Sequence, residues 1–352
     1  MKRIAWEIPV DGRRRLRLGS LRMRVHNLTV AALLAASLII VALTSLGSGT
    51  TVLTLTDVVT ALIGQGTPMT EFAIWQVRMP RILLAILAGF AVAMSGAILQ
   101  TIARNPLADP GLLGLSQGAI VAAMILAVAV PDLAMGWRAL GATSGALATG
   151  ILILTLVGPS QAAGLSILLM GIAVETTLSA ISTMLLVHTP LEVSYQLAAW
   201  MAGTMDRASW QLLAGYTPWV ALVAPLLLLA GPSLRAYDLG DDLARAIGTP
   251  TGLRRAAILL ATIALAGATT AAVGPLLFLG IMGPHLAGFL SPATGATRLW
   301  LSGLMGAILV VAADFAVRML GPVMPLQLGL SLVLIGVPLF IMTLRLTARR
   351  RR

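Results

Sequence analysis

Long apolar runs separated by short polar ones dominate this chain. A bilayer core is crossed by about 20 apolar residues in helical form. On that ruler the sequence predicts ten spans: Leu28–Leu46, Ile82–Ile102, Leu112–Val130, Ala139–Val157, Leu165–Val187, Leu212–Ala230, Ala256–Gly274, Pro275–Leu290, Leu299–Val317 and Leu326–Leu344. The eighth is short and interrupted by Pro284. The two longest connections on one side are Gly47–Gln76, with an amphipathic stretch over Asp57–Leu62, and His188–Gln211. Trp200, Trp210 and Trp219 lie in or beside the second, as interfacial anchors do. The expected architecture is an all-α polytopic membrane protein. A basic segment (residues 1–27) leads into a membrane domain (28–346) and a short basic tail (347–352).

One connection does not fit a simple hairpin. Asn105-Pro106-Leu107-Ala108-Asp109-Pro110-Gly111-Leu112-Leu113-Gly114-Leu115-Ser116-Gln117-Gly118-Ala119 carries two prolines and three glycines between two membrane-length segments. Proline cannot continue a helix and restricts the residue before it. Irregular backbone at membrane depth is tolerated only where it is buried in protein or lines an aqueous path. This run therefore points to a channel or transporter.

Composition narrows the class further. The 352 residues are 58% hydrophobic and 11% charged, against roughly 25% charged in soluble domains. Cysteine is absent, which excludes disulfides and thiolate metal sites. His26, His188 and His285 are too scattered to suggest a metal cluster. The net charge of +11 is topogenic in pattern and is not the basic, aromatic-interleaved patch of a nucleic-acid surface. With an even number of spans both termini share a side. Placing them in the cytoplasm leaves only Arg78, Arg81, Arg138, Arg207 and Arg318 of the 24 basic residues outside. The basic start followed by a full-length span also reads as a first span and not as a cleavable leader.

Several constellations could carry chemistry. Gly114-Leu115-Ser116-Gln117-Gly118 matches the G-x-S-x-G nucleophile elbow in letters, but that motif needs a strand–turn–helix context. A serine hydrolase would have to recruit His285, so close helix packing through Gly114 and Gly118 is the favoured reading. Glu175 stands alone inside the fifth span, where a charge costs on the order of 3 kcal/mol on insertion scales. It is a candidate path residue, a proton carrier in an ion-coupled secondary transporter, or a hydrogen-bonded packing group. Asp314 and Arg318 share a helix face at i, i+4 and could neutralise each other. Asp241 and Asp242 open a short helix that Gly248 and Pro250 close.

The run from Asn105 to Ala119 closely resembles the NPLA-x-P-x-x-LG-x-S-x-GA signature of bacterial ABC importer permeases for iron–siderophore complexes and cobalamin. Trp75-Gln76-Val77-Arg78-Met79-Pro80-Arg81 resembles that family's W-Q-x-R-x-P-R, and Gly274 to His285 its G-x-I-x-F-x-G-L-x-x-P-H. Gly329…Gly336-x-Pro338 also matches, whereas Pro325–Gly329 departs from the usual E-x-P-x-G by losing the glutamate and gaining two residues.

The resemblance implies a permease subunit in the bacterial inner membrane. It would import a ferric siderophore, with cobalamin or heme as the alternative cargo, and work by alternating access. The implied partners are a second permease copy or paralogue, two cytoplasmic ATPase subunits and a substrate-binding protein. ATP and Mg would bind the ATPases. This chain has no phosphate loop of its own and is expected to bind no cofactor or metal. Arg78, Arg81 and Arg318 would dock the binding protein. Asp241, Asp242, Leu243, Ala244, Arg245, Ala246, Ile247 and Gly248 would couple to the ATPase. Asn105, Pro106, Gln161, Ala163, Gly164 and Glu175 are the candidate path or gate residues.

Overall fold

The structure, a computed structural model, describes residues 4–7, 15–18, 21–49, 53–130, 135–158, 165–188, 191–320 and 326–350. Ahead of the first span, β1 (Ile4–Glu7), β2 (Arg15–Leu18) and β3 (Leu21–Arg24) pair as an antiparallel meander, Ile4 opposite Leu18 and Arg15 opposite Arg24. Nothing in the apolar pattern announces it. Everything else with regular structure is helical.

Helix α1 (Val25–Gly47) is followed by α2 (Leu55–Leu62), which Thr54 and Asp57 close with a reciprocal capping box. Then α3 (Pro68–Glu71) runs through a π-helical stretch, Phe72–Arg78, directly into α4 (Met79–Ala103). After the polar run come α5 (Leu115–Ala129), α6 (Met135–Val157), α7 (Leu165–His188) and the short α8 (Leu191–Met201). The chain continues through α9 (Trp210–Leu229), α10 (Gly231–Asp238), α11 (Asp241–Ala246) and α12 (Leu253–Val273). It finishes with α13 (Leu279–Leu290), α14 (Gly295–Leu320) and α15 (Leu328–Arg350). Among the described residues, eight helices are long and apolar enough to span a membrane, and α5 and α13 are shorter apolar helices in the remaining two expected places. From α1 onward the fold is an all-helical, multi-pass membrane fold.

Helix α4 is its axis: from Ala91 to Ala103 every side is buried, and six of these thirteen residues are Ala, Gly or Ser. Such a helix meets its neighbours through backbone. A Cβ on Gly89 would strike the Gly306 carbonyl of α14, and one on Gly306 the Gly89 carbonyl. Gly96 meets the Gly280 backbone of α13 in the same way. Lipid tails are as apolar as leucine, so helices in a bilayer gain by close approach, and small residues permit it.

Two expected spans are corrected. The eighth, Pro275–Leu290, is helical only from Leu279. Gly274 and Phe278 take positive φ (76° and 65°), so residues 274–278 leave the helix and α13 begins inside the bundle. It starts level with Gly96, about two turns short of the end of α4. The third span starts at Leu115, behind a 3-10 turn over Pro110–Leu113.

Candidate functional site

Three groups of polar residues line up along α4: one at the Arg81 end, one at the break inside the bundle, and one at the Asp241 end.

At the Arg81 end, Asp314 of α14 is 2% exposed and shared by two arginines. Arg81 Nε donates to its Oδ1 at 2.9 Å and Arg318 Nε to its Oδ2 at 3.1 Å. Arg318 also donates to the carbonyls of Ser48 (2.7 Å) and Ser45 (3.2 Å), and Arg78 donates to the Leu46 carbonyl. These carbonyls end α1. Arg78 and Arg318 thus cap its C-terminus, where unpaired carbonyls favour cations. Arg81 reaches outward as well, to the largely exposed Asp206 at 3.1 Å. The sequence places all three arginines at one rim, and the structure brings them together, but Arg78 is buried and Arg318 is engaged inward.

The break is formed by the polar run and the start of α13. Arg104, in left-handed conformation, ends α4. Asn105 then folds the loop by accepting from the Leu107 amide at 2.9 Å, and Pro106 is exposed. Asp109 turns inward. Its Oδ1 accepts from the Gly111 amide at 2.7 Å. Its buried Oδ2 faces the Gly280 and Ile281 amides of the first turn of α13 without closing a hydrogen bond of ordinary geometry. Gln100 Nε2 donates to the Gly280 carbonyl at 3.2 Å, while its Oε1 accepts from Arg298 at 2.9 Å. Gly114 packs on the backbone of Glu175, and Gly118 packs on Gly145 and Thr149 of α6. The small-residue reading of this motif is what the structure shows. His285 bonds Thr343 at 2.9 Å and lies against Phe340 (4.4 Å between ring centres), so its partners are on α15 and Ser116 is not among them.

Glu175 is half-buried on α7 beside this break. On its exposed side, Thr176, Thr177, Ala180 and Thr183 form a face of small and hydroxyl residues inside an apolar helix. Sequence reasoning overlooked this face, although its i, i+3/i+4, i+7 spacing is legible. Gln161, Ala163 and Gly164 lie outside the described residues.

At the Asp241 end, Arg255 is 1% exposed and grips Asp241 with both Nη atoms, at 2.7 and 3.1 Å. Arg104 approaches the same carboxylate at 3.6 Å. The Arg255 guanidinium also lies over the Tyr237 ring, 4.7 Å from its centre, and Tyr237 donates to the Pro250 carbonyl. The Arg255 hydrogen bonds hold the Asp241 carboxyl below its ordinary value, with the nearby Arg104 and Arg245 charges acting in the same sense. Burial pushes the neighbouring Asp238 carboxyl upward, despite Arg298 at 3.8 Å. Of the eight expected coupling residues, Asp241 and Ala244 face inward and fasten the helix, while Asp242, Leu243, Arg245, Ala246, Ile247 and Gly248 are exposed. Leu243 and Ile247 stay 56% and 62% exposed, an apolar tip on a rigidly held turn.

Among the described residues, no group of three or more His, Asp or Glu is placed to hold a metal ion.

The sequence profile of the FecCD transport family matches residues 37–346. The chain is 33% identical to the Fe(3+)-citrate import system permease protein YfmE of Bacillus subtilis over 94% of this chain and 98% of that one. It is also 33% identical to the achromobactin transport system permease protein CbrC of Dickeya dadantii, over 92% and 94%. A solved inward-facing conformation of a metal-chelate type ABC transporter shares the fold, with a TM-score of 0.80 at 24% identity, covering 91% of this chain and 99% of that one.

Proposed function

The chain belongs to the FecCD transport family, and from that premise we propose that it is the permease subunit through which an ATP-driven importer moves a ferric siderophore. The observation that carries the reading is the juxtaposition along α4. A rigid turn with a bare apolar tip stands at one end of the helix, and a broken helix meeting a polar re-entrant loop lies inside the bundle.

The tip of α11 suits a groove on a cytoplasmic ATPase subunit. Burial of Leu243 and Ile247 would supply affinity, and the Asp241–Arg255 grip would pass force into α12 without the turn yielding. From the same end, Asp238, Arg298 and Gln100 make a continuous polar contact to Gly280, beside Asp109. A shift at an ATPase interface would therefore have a short physical route to the start of α13, an element that alternating access would have to move. The hydroxyl face of α7, set against a second permease copy or paralogue, would line the path, with Asn105, Pro106 and Glu175 near its narrowing. A bulky chelate passes such small side chains without strong binding.

At the opposite end, Arg81 with Asp206 is the part of the arginine group that reaches solvent. It would meet a substrate-binding protein on a platform braced by Arg78 and Arg318. Both termini would then lie in the cytoplasm, in keeping with the charge pattern.

The test is reconstitution with the co-expressed ATPase and binding protein, with Mg-ATP supplied. Ferric siderophore should stimulate ATP hydrolysis and uptake together. Stimulation by cobalamin or heme alone would reassign the cargo. Uptake that needs no ATP and collapses with the proton or sodium gradient would overturn the reading in favour of ion coupling through Glu175.

A further inference from the structure

A cavity of about 660 Å³ opens where α1 begins, beside the α13–α14 connection. Arg24 and Asn27 of α1 form one wall, and Arg235, Thr297 and Trp300 line the rest of it. The wall is held in place, since His26 bonds the Leu290 carbonyl at 3.1 Å and Ser291 Oγ donates to Asn27 Oδ1 at 2.8 Å. Among the described residues, no acidic side chain lines the cavity.

The carboxylates of this end are already engaged: Asp238 with Arg298, Asp241 with Arg255 and Arg104, Asp242 with Arg245. Neither Arg24 nor Arg235 has a carboxylate partner among the described residues. Two guanidiniums on one cavity without an acid favour an anionic occupant, and guanidinium matches phosphate oxygens two at a time. Trp300, 46% exposed and edge-on to Phe90, is the amphipathic ring expected at the membrane–water boundary. Further along, α1 and α9 turn Leu33 and Leu222 outward, a surface that suits acyl chains.

We propose that this cavity binds the phosphate headgroup of an anionic phospholipid, with its acyl chains along the outside of the bundle. Basic pockets between helices at the cytoplasmic leaflet favour such headgroups. The lipid would tie α1 to α14 at the end opposite the arginine cap. Only the choice of leaflet rests on the importer reading.

The test uses the assembled transporter in nanodiscs. Brominated phosphatidylglycerol and brominated phosphatidylcholine are titrated against tryptophan emission in the wild type and in Trp300→Phe, and the difference isolates Trp300. Phosphatidylglycerol should quench at a much lower mole fraction. That preference should fall roughly fivefold for each of Arg24→Gln and Arg235→Gln, and on the order of 25-fold for both.

Equal quenching by the two lipids, or a preference surviving in the double variant, overturns the proposal. Loss of the preference in millimolar inorganic phosphate would assign the site to a soluble anion and also overturn it. So would the absence of Trp300 quenching by either lipid, which would mean that a partner protein covers the cavity. The importer reading fails separately, through siderophore-stimulated ATP hydrolysis. Orientation is read from the sidedness of labelling of Arg349→Cys, a unique thiol in a chain without cysteine.

Discussion

The two ends of α4 use the same device to opposite ends. Each holds one carboxylate between two arginines: Asp314 between Arg81 and Arg318, and Asp241 between Arg255 and Arg104. At the Asp314 end the surplus donors of Arg318 turn inward, onto the last carbonyls of α1, while Arg81 also reaches the exposed Asp206, and the ionic group fastens α1 to α14. At the Asp241 end the grip fixes a six-residue helix that, among the described residues, leaves Leu243 and the following Ile247 exposed. A shared carboxylate can therefore close a surface or present one. The difference lies in what stands beside the carboxylate: the end of a long helix in one case, a short helix with exposed apolar residues in the other.

The contrast can be broken most severely at Asp314. Asp314→Ala leaves Arg318 with only carbonyl and hydroxyl partners and Arg81 with only the exposed Asp206, at 16% and 18% side-chain exposure. Removing one member of a buried ion group costs about 3–5 kcal/mol. The variant should show a large fall in thermal midpoint in detergent and poor recovery from the membrane. A midpoint equal to wild type would mean that the Asp314 group is not what fastens α1.

Asp241→Ala should cost about as much, on the order of 3 kcal/mol, because it leaves the 1%-exposed Arg255 guanidinium with the Tyr237 ring but without its carboxylate. Here siderophore-stimulated ATP hydrolysis should fall further than thermal stability does. Equal losses would make the grip purely structural.

Leu243→Asp with Ile247→Asp sharpens the comparison from the other side. Both residues are exposed, so stability should change by less than about 0.5 kcal/mol. Co-purification of the ATPase subunit should nevertheless be lost, and retained ATPase at wild-type stoichiometry would remove α11 from the interface.

The smallest effect concerns pH. The Asp241 carboxyl sits below its ordinary value. Its contribution is complete above an unfolded value of about 3.9 and is lost only as pH falls through the lower folded value. Coupling between pH 5 and 8 should therefore owe nothing to this group. A slope in that window that Asp241→Asn abolishes would contradict the assignment.

Much of this was legible before any coordinates. The apolar runs announce ten membrane segments because the bilayer sets a length that composition must meet. The prolines and glycines from Asn105 to Gly114 mark an irregular crossing, because no helix tolerates that spacing. The acidic start and Gly248 stop of α11 mark a capped turn. The α7 hydroxyl face was equally readable, but it was overshadowed by the single charge of Glu175.

What the tertiary structure alone decided has one physical character: it depends on contacts between residues far apart in the chain. Arg318 meets the carbonyl of Ser48, 270 positions away, and so caps the Gly47-Ser48 end of α1 from a distant helix. Gly280 and Gly96 touch because two backbones approach, and that contact, together with positive φ at Gly274 and Phe278, sets where α13 starts. Asp314 is a surface pair by its i, i+4 spacing, yet Arg81 makes it the buried centre of an ionic group. Periodicity and propensity act over a few turns of helix and thereby determine which segments cross the membrane. Which crossings seal, which break and which present a face is set by partners that only packing brings within reach.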